Sequence, residues 1–240
     1  MKDLLYVKKK LALAPSLTVL TGAGISAESG VPTFRGPEGL WRSYKPEDLA
    51  TPEAFRRDPT LVWEWYQWRR RLIATKDPNA AHSALAALEK ACSDFTLITQ
   101  NVDGLHRAAG SRNVIELHGD IWKIRCTACG RLAADRSLAL PPLPKCPRCG
   151  ALLRPHIVWF GEGIDPANLE ASMKACRSCA FMLVIGTSAV VQPAASFASI
   201  AKATGALVVE VNPNPALGDC ADISLMGPAA EIVPQLLDVG

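Results

Sequence analysis

The sequence lacks a long apolar run, a strong excess of one charge, and any internal repeat or low-complexity tract. A membrane span needs about 18 or more continuous apolar residues, so we expect no membrane protein. The 26 Lys and Arg residues against 23 Asp and Glu are too weak a basic excess to indicate a nucleic-acid site. A basic and then apolar N-terminus could begin a secretory signal. Its apolar run continues into a Gly-rich turn, however, which favours a buried strand and a cytoplasmic protein.

The apolar segments alternate with helical ones, and a chain of 240 residues can form one large domain carrying a smaller insertion. Helical patterns occupy His82–Ala91 and Pro193–Thr204. Apolar, β-rich runs occupy five segments: Leu17–Leu20, Phe95–Thr99, Val114–Leu117, Phe181–Ile185 and Ala206–Val211. This alternation predicts an α/β fold with a parallel sheet, whose ligands bind at the carboxyl ends of the strands.

Two segments break the alternation, Gly39–Pro78 and Cys126–Pro155, and both read as insertions. We therefore predict a Rossmann-like domain made of residues 1–38, 79–121 and 156–240. A helical insertion at 39–78 and a zinc insertion at 122–155 would pack together as a small domain.

Six of the eight cysteines form Cys-x-x-Cys pairs. The first two pairs have the spacing of a zinc ribbon, and they predict one structural zinc ion because four thiolates leave no position for water. Its ligands would be Cys126, Cys129, Cys146 and Cys149. The third pair, Cys176 and Cys179, has no partner pair and is expected to be two ordinary cysteines at a helix end.

Polar and glycine-rich segments follow the apolar runs. The segment Thr21–Ser26 could turn its backbone N–H groups toward a pyrophosphate, although the motif alone also fits an ordinary strand-to-helix turn. The dinucleotide-binding fingerprint also requires an acidic residue at the end of a second strand about 20 residues later, and no residue clearly fills that position.

A single histidine such as His118 is either structural or a base. We expect His82, His106 and His156 to be structural.

The order of these segments resembles the sirtuin family. Thr21–Ser26 with its continuation Ser29–Gly36, Thr99–Gly110 and the Leu-His-Gly of His118 resemble successive family signatures, and the likeness runs from Thr21 to about Glu231. The resemblance implies an NAD-dependent protein-lysine deacylase that acts on acylated-lysine proteins or peptides. In that reaction the acyl oxygen attacks the nicotinamide ribose, nicotinamide leaves, and free lysine and O-acyl-ADP-ribose are formed.

The resemblance also implies residue roles. His118 would be the catalytic base and Asn101 would orient the ribose and water. Residues implied to bind NAD are Gly22, Ala23, Gly24, Ile25, Ser26, Phe34, Arg35, Gln100, Asn101, Val102, Asp103, Gly186, Thr187, Ser188, Asn212, Pro213, Asn214 and Ala230.

The acyl-lysine is expected to contact two segments. The run Ile157–Glu162 fits either an ordinary connecting strand or an exposed edge strand able to accept a peptide. Its resemblance to the family segment that pairs with the substrate backbone implies that Val158, Trp159 and Phe160 contact substrate. Tyr66 and Arg69 are three residues apart and so share a helix face, although an alternative is a helix whose residues 69–71 form a solvated basic run. The pair resembles that of sirtuins that accept negatively charged acyl groups, so we expect succinyl- or malonyl-lysine substrates, with acetyl-lysine also possible.

Three alternatives remain open from the sequence. A dehydrogenase would share the nucleotide loop but would recycle its cofactor. A zinc-ribbon module that binds nucleic acid would explain the cysteines but requires a broader basic face. Protein ADP-ribosylation by the same fold is the closest alternative.

Overall fold

A computed structural model describes residues 2–34, 39–40, 43 and 45–237. Their main element is a sheet of six strands: β1 (Leu17–Thr21), β2 (Phe95–Thr99), β3 (Val114–Glu116), β7 (Phe181–Ile185), β8 (Leu207–Val211) and β9 (Ile223–Leu225). Their order is β3-β2-β1-β7-β8-β9, and every pairing is parallel.

Helices cover both faces of this sheet, which explains why its strands are continuous apolar runs rather than alternating ones. One face packs against α1 (Lys2–Ala12), α5 (Ala80–Ala91) and α9 (Ala229–Gln235). The other packs against α7 (Pro166–Ser178) and α8 (Phe197–Ala203). None of the described helices is long and apolar enough to cross a bilayer.

A second, antiparallel sheet has the order β5-β4-β6. Its strands are β4 (Gly119–Cys126), β5 (Leu132–Ala134) and β6 (Leu153–Ile157), and four further helices are α2 (Pro46–Leu49), α3 (Pro52–Arg57), α4 (Pro59–Ile73) and α6 (Leu105–Ala108). Residues of α2–α4 and of this sheet share one apolar cluster, so the two insertions do pack together. The predicted boundaries at 122 and 155 fall inside β4 and β6, because the ladder between these strands continues past them.

The predicted strands agree closely with the structure. β2 and β7 have the predicted bounds, and β1, β3 and β8 differ from them by one residue at one end. The predicted helix Pro193–Thr204 starts as a 3₁₀ turn at Ala194–Ser196 before α8. The predicted edge strand Ile157–Glu162 is wrong, since β6 ends at Ile157. The backbone N–H of Val158 bonds His118 O instead.

The alternative of a solvated basic run at 69–71 is also wrong. Arg69 and Arg70 are buried in α4 and only Arg71 is exposed. The Arg70 side chain is 0% exposed and donates to Ile121 O at 2.8 Å, and it forms an ion pair with Asp135 at 3.0 Å. Arg70 therefore connects α4 to the small sheet and to the segment that follows β5.

We expect Arg70→Gln to destabilise the fold by about 3 kcal/mol, because it removes the buried partner of a partly buried ion pair together with its backbone contacts. Arg71→Gln is the matched control on the exposed side of the same helix, and it should change the free energy of unfolding by no more than about 0.5 kcal/mol. Chemical denaturation of both variants measures the difference. Equal effects would show that the buried contacts of Arg70 add nothing to stability.

Candidate active site

A cavity of about 790 Å³ lies at the carboxyl end of the parallel sheet, and the small sheet and α4 form part of its wall. Its position agrees with the rule that ligands of such sheets bind beyond the carboxyl ends of the strands. It lies within the usual volume of ligand sites, roughly 300–1,000 Å³.

Backbone contacts between two glycine-rich turns form one side of this cavity. Gly24 N donates to Gly186 O at 2.8 Å, and Gly22 N donates to Ile185 O at 2.9 Å. A Cβ on Gly24 would lie 2.7 Å from Gly186 Cα, and one on Gly186 would lie 2.5 Å from Ile25 N. Gly186 also has a φ of +59°, which disfavours any side chain. These glycines are thus required for the approach of the turns that follow β1 and β7.

A buried hydrogen-bond network lies beside these turns. Asn101 Nδ2 donates to Gly22 O at 3.0 Å and to Ser26 Oγ at 3.2 Å. Ser26 Oγ in turn donates to Asp103 Oδ2 at 2.8 Å. Among the described residues the Asn101 carboxamide oxygen has no hydrogen-bond partner, so this oxygen is the atom available to a ligand in the cavity.

His118 follows β3 and lines the cavity, half-buried. Its Nδ1 lies 3.2 Å from Gln100 O, and because a carbonyl can only accept, Nδ1 carries the proton. Nε2 then bears the lone pair that a base needs. Burial lowers the pKa of His118 below its ordinary value, although the bond to Gln100 opposes this, so the ring is neutral at pH 7.

Two other histidines make buried contacts outside the cavity. His106 Nε2 lies 2.9 Å from Thr21 Oγ1, and burial lowers its pKa well below the ordinary value. His82 accepts the N–H of Asn79 in a capping box at the start of α5, and its Nε2 lies 3.4 Å from Ser26 Oγ. Neither lines the cavity.

The cavity wall formed by α4 has a different character. Tyr66 and Arg69 line it although they are only 2% and 5% exposed. Trp159 Nε1 donates to Tyr66 Oη at 2.9 Å, and burial raises the pKa of Tyr66 to about 12. The Arg69 guanidinium lies 4.7 Å from the centre of the Phe34 ring and 5.1 Å from that of Trp65. This wall therefore presents a cation and a neutral hydroxyl.

The segment after β6 is held in place by an ion pair. The Arg154 guanidinium bonds both carboxylate oxygens of Glu162 and lies 3.4 Å from the Trp159 ring centre. Glu162 also accepts the backbone N–H of Trp159 at 3.0 Å. Trp159 is thereby fixed against Tyr66.

Most of the residues expected to bind ligands do line the cavity. These are Gly22, Ala23, Gly24, Phe34, Tyr66, Arg69, Gln100, Asn101, Val102, His118, Val158, Trp159, Phe160, Gly186, Thr187, Ser188, Asn212, Pro213 and Asn214. Four others, Ile25, Ser26, Asp103 and Ala230, are not among the lining residues, and the Ala230 N–H donates to Glu28 at 3.0 Å. Arg35 lies outside the described residues.

Comparison with known proteins identifies the family. The profile described as the Sir2 family matches residues 22–193. An NAD-dependent protein deacylase of Aquifex aeolicus is 55% identical over 199 residues, covering 82% of this chain and 83% of that protein. One from Pyrococcus furiosus is 51% identical over 239 residues, covering 97% and 96%. The chain belongs to the Sir2 family.

Solved structures of Sir2 proteins have the same architecture. A Sir2 homolog–NAD complex has a TM-score of 0.91 at 49% identity, covering 97% of this chain and 91% of the other. A Sir2–p53 peptide–NAD⁺ complex has a TM-score of 0.86 at 31% identity, covering 98% and 96%. The expected Rossmann-like α/β fold with a smaller zinc-binding and helical part is confirmed.

The four-cysteine cluster of this Sir2 chain fits one structural zinc ion. The Sγ atoms of Cys126, Cys129, Cys146 and Cys149 all lie within 4.8 Å of one another. Backbone N–H groups lower the pKa values of Cys126 and Cys146, which favours the thiolates that a metal binds, whereas the neighbouring thiols raise the pKa of Cys149. By contrast, Cys176 lies in α7 with Cys179 at its end, and burial raises the pKa of Cys176 to about 12.

Several cavity residues of the Sir2 chain were not predicted. Glu28, Trp65 and the segment 191–193 line it. Trp65 adjoins the predicted Tyr66 on α4, and its position there is the signal that could have found it. Nothing in the residues 191–193 themselves signals a ligand, because they reach the cavity only through the turn before α8.

His118 should titrate below its ordinary pKa of about 6.5 and should be the neutral Nδ1–H tautomer at pH 7. The sign follows from burial, which penalises the charged ring. Imidazole ¹⁵N NMR across pH 4–8 measures this, with the buried His82, whose pKa is lowered to about 4, as internal comparison. An imidazolium at pH 7, or an Nε2–H tautomer, would exclude His118 as the base.

Proposed function

We propose that this chain removes acyl groups from lysine side chains of proteins or peptides, with NAD as co-substrate, and that it prefers acyl groups that end in a carboxylate, such as succinyl and malonyl. The observation that carries the preference is the buried Tyr66 and Arg69 in the cavity wall. Family membership and its relatives support the coarser statement: the chain is an NAD-dependent protein deacylase. They do not favour ADP-ribosyl transfer to protein, or hydride transfer.

Arg69 supports the preference through its charge. Burial of a guanidinium is costly, and burial is the main cause that lowers the pKa of Arg69, while the charge of Asp103 opposes this shift. Among the described residues, no carboxylate lies within 4.0 Å of it. Two aromatic rings stack on it instead. An acyl carboxylate entering from the cavity would supply an ion-pair partner in direct contact, and a guanidinium can bind it through two parallel hydrogen bonds.

Tyr66 supplies a hydrogen-bond donor beside this charge. Its oxygen already accepts the Trp159 N–H, so its own proton is the part left for a ligand. With the pKa raised to about 12, the hydroxyl stays protonated through the neutral range. It can therefore donate to a carboxylate, which a phenolate would repel. Neither side chain needs to exclude a small neutral acyl group, so the proposal includes acetyl-lysine as a second substrate.

At the reacting end, His118 Nε2 accepts the proton of a ribose hydroxyl, while the Gln100 carbonyl keeps the ring in the required tautomer. The Asn101 carboxamide, held through its nitrogen by Gly22 O and Ser26 Oγ, offers its oxygen to orient a hydroxyl or water. The four cysteines would hold zinc as a structural ion that stabilises the small sheet.

We expect Arg69→Met to raise KM for a succinyl-lysine peptide by about tenfold or more, the scale of a lost charge-assisted hydrogen bond, and to leave KM for the acetyl peptide nearly unchanged. Tyr66→Phe should act in the same direction with a smaller effect. Arg71→Met is the control, because Arg71 is exposed on the same helix. Steady-state kinetics on both peptides measures the change.

Equal losses on succinyl and acetyl peptides would show that Arg69 supports the fold rather than binding the acyl carboxylate. If Arg69→Met changes turnover on neither peptide, the acyl group does not bind at the wall formed by α4.

A further inference from the structure

Glu210 is a charged side chain that the reaction described above does not use. It lies on β8 and is 0% exposed. Among the described residues, no Lys, Arg or His nitrogen lies within 4.0 Å of its carboxylate. Burial of an unpaired carboxylate is costly unless hydrogen bonds satisfy it, so its contacts indicate what the carboxylate does.

Those contacts all lead to one segment and to the neighbouring strand. Glu210 Oε1 accepts the backbone N–H of Ala216 at 2.7 Å, and its Oε2 accepts that of Leu217 at 3.4 Å. The Asn212 amide donates to Oε1 at 3.4 Å, and Ser224 on β9 donates to Oε2 at 3.2 Å. The carboxylate thus binds both ends of the turn that leaves β8.

Apart from Leu217, which is buried in the apolar cluster beside α8, this turn has little packing to fix its conformation. Residues 213–216 are exposed, so apolar burial does not hold them. Asn212 is half-buried, and its amide also donates to Thr187 O at 2.8 Å. The Asn212 oxygen accepts the Asn214 N–H at 3.3 Å. Asn212, Pro213, Asn214 and Ala216 all line the cavity.

We propose that Glu210 is a positioning residue for the adenosine end of NAD: it holds the turn 212–217 so that Asn212 and Asn214 meet the ligand. This inference rests on the proposed function only in taking that turn as an NAD contact. Glu210 itself does not line the cavity and acts through these two residues.

The order of strands in the sheet separates the turn after β8 from His118. Strand β8 lies four strand positions from β3, which precedes His118. At an interstrand spacing of about 4.8 Å, this is about 19 Å. A misplaced turn should therefore weaken NAD binding without changing the reacting end.

The test compares Glu210→Gln and Glu210→Leu with Ser224→Ala. The side-chain amide of Gln places an N–H donor opposite the backbone N–H of Ala216 or Leu217. Leu has a similar size to Glu but removes every hydrogen-bond acceptor. Ser224→Ala removes one contact of the carboxylate but leaves those to the turn, so it is the matched control. The measurements are the Kd for ADP-ribose by calorimetry, KM for NAD, KM for peptide, kcat and the melting temperature.

We expect Glu210→Gln to raise the Kd for ADP-ribose and KM for NAD together by about tenfold, and Glu210→Leu by more, the scale of hydrogen bonds to a charged group. KM for peptide and kcat at saturating NAD should stay within twofold of wild type, with Ser224→Ala like wild type throughout.

The proposal is overturned if ADP-ribose affinity is unchanged in a folded Glu210→Gln protein. It is also overturned if kcat falls and both KM values rise together with a fall in the melting temperature, as expected for a purely structural residue. If Glu210→Leu does not fold, Glu210→Gln decides alone. ADP-ribose binding requires no turnover, so a failure of the deacylase proposal, seen as absent turnover in wild type, leaves this test decisive.

Discussion

The close approach of two backbone turns is the constraint on which the site depends. The turn after β1 and the turn after β7 contact through Gly22, Gly24 and Gly186, at distances where a Cβ would lie 2.5–2.9 Å from backbone atoms. Parallel pairing of β1 with β7 brings these turns to the same edge of the sheet. Any side chain there would separate the turns, and with them the cavity wall that they form together.

The opposite wall depends on buried charges that are paired or stacked. Arg154 and Glu162 fix Trp159, which donates to Tyr66, and Arg69 stacks on aromatic rings beside it. The bond from Trp159 to Tyr66 joins α4 to the segment after β6, two parts that are distant in sequence. The wall that would recognise the acyl group is therefore formed by the packing of the two insertions. A hydrogen bond from Arg70 to Ile121 O also connects α4 to β4.

The sequence was sufficient for elements whose signals are local. Apolar runs predicted β2 and β7 correctly, and the spacing of Cys126 to Cys149 predicted the metal cluster. The sequence was insufficient where contacts between distant parts of the chain determine the conformation of a segment or the burial of a side chain. The segment after Ile157 leaves its strand because Glu162 and His118 take its N–H groups. Arg69 is buried against aromatic rings, and Arg70 is buried in an ion pair with Asp135. The residue pattern of α4 alone does not reveal either contact. The burial of Glu210 likewise depends on a turn closing over it.

Mass spectrometry of the products formed from a succinyl-lysine peptide and NAD tests the central claim most directly. We expect free lysine peptide, nicotinamide and O-succinyl-ADP-ribose in equal amounts, and none of them from His118→Ala beyond a trace. An ADP-ribosylated peptide that keeps its acyl group would contradict it and indicate protein ADP-ribosylation. Reduced cofactor without release of nicotinamide would contradict it in favour of hydride transfer.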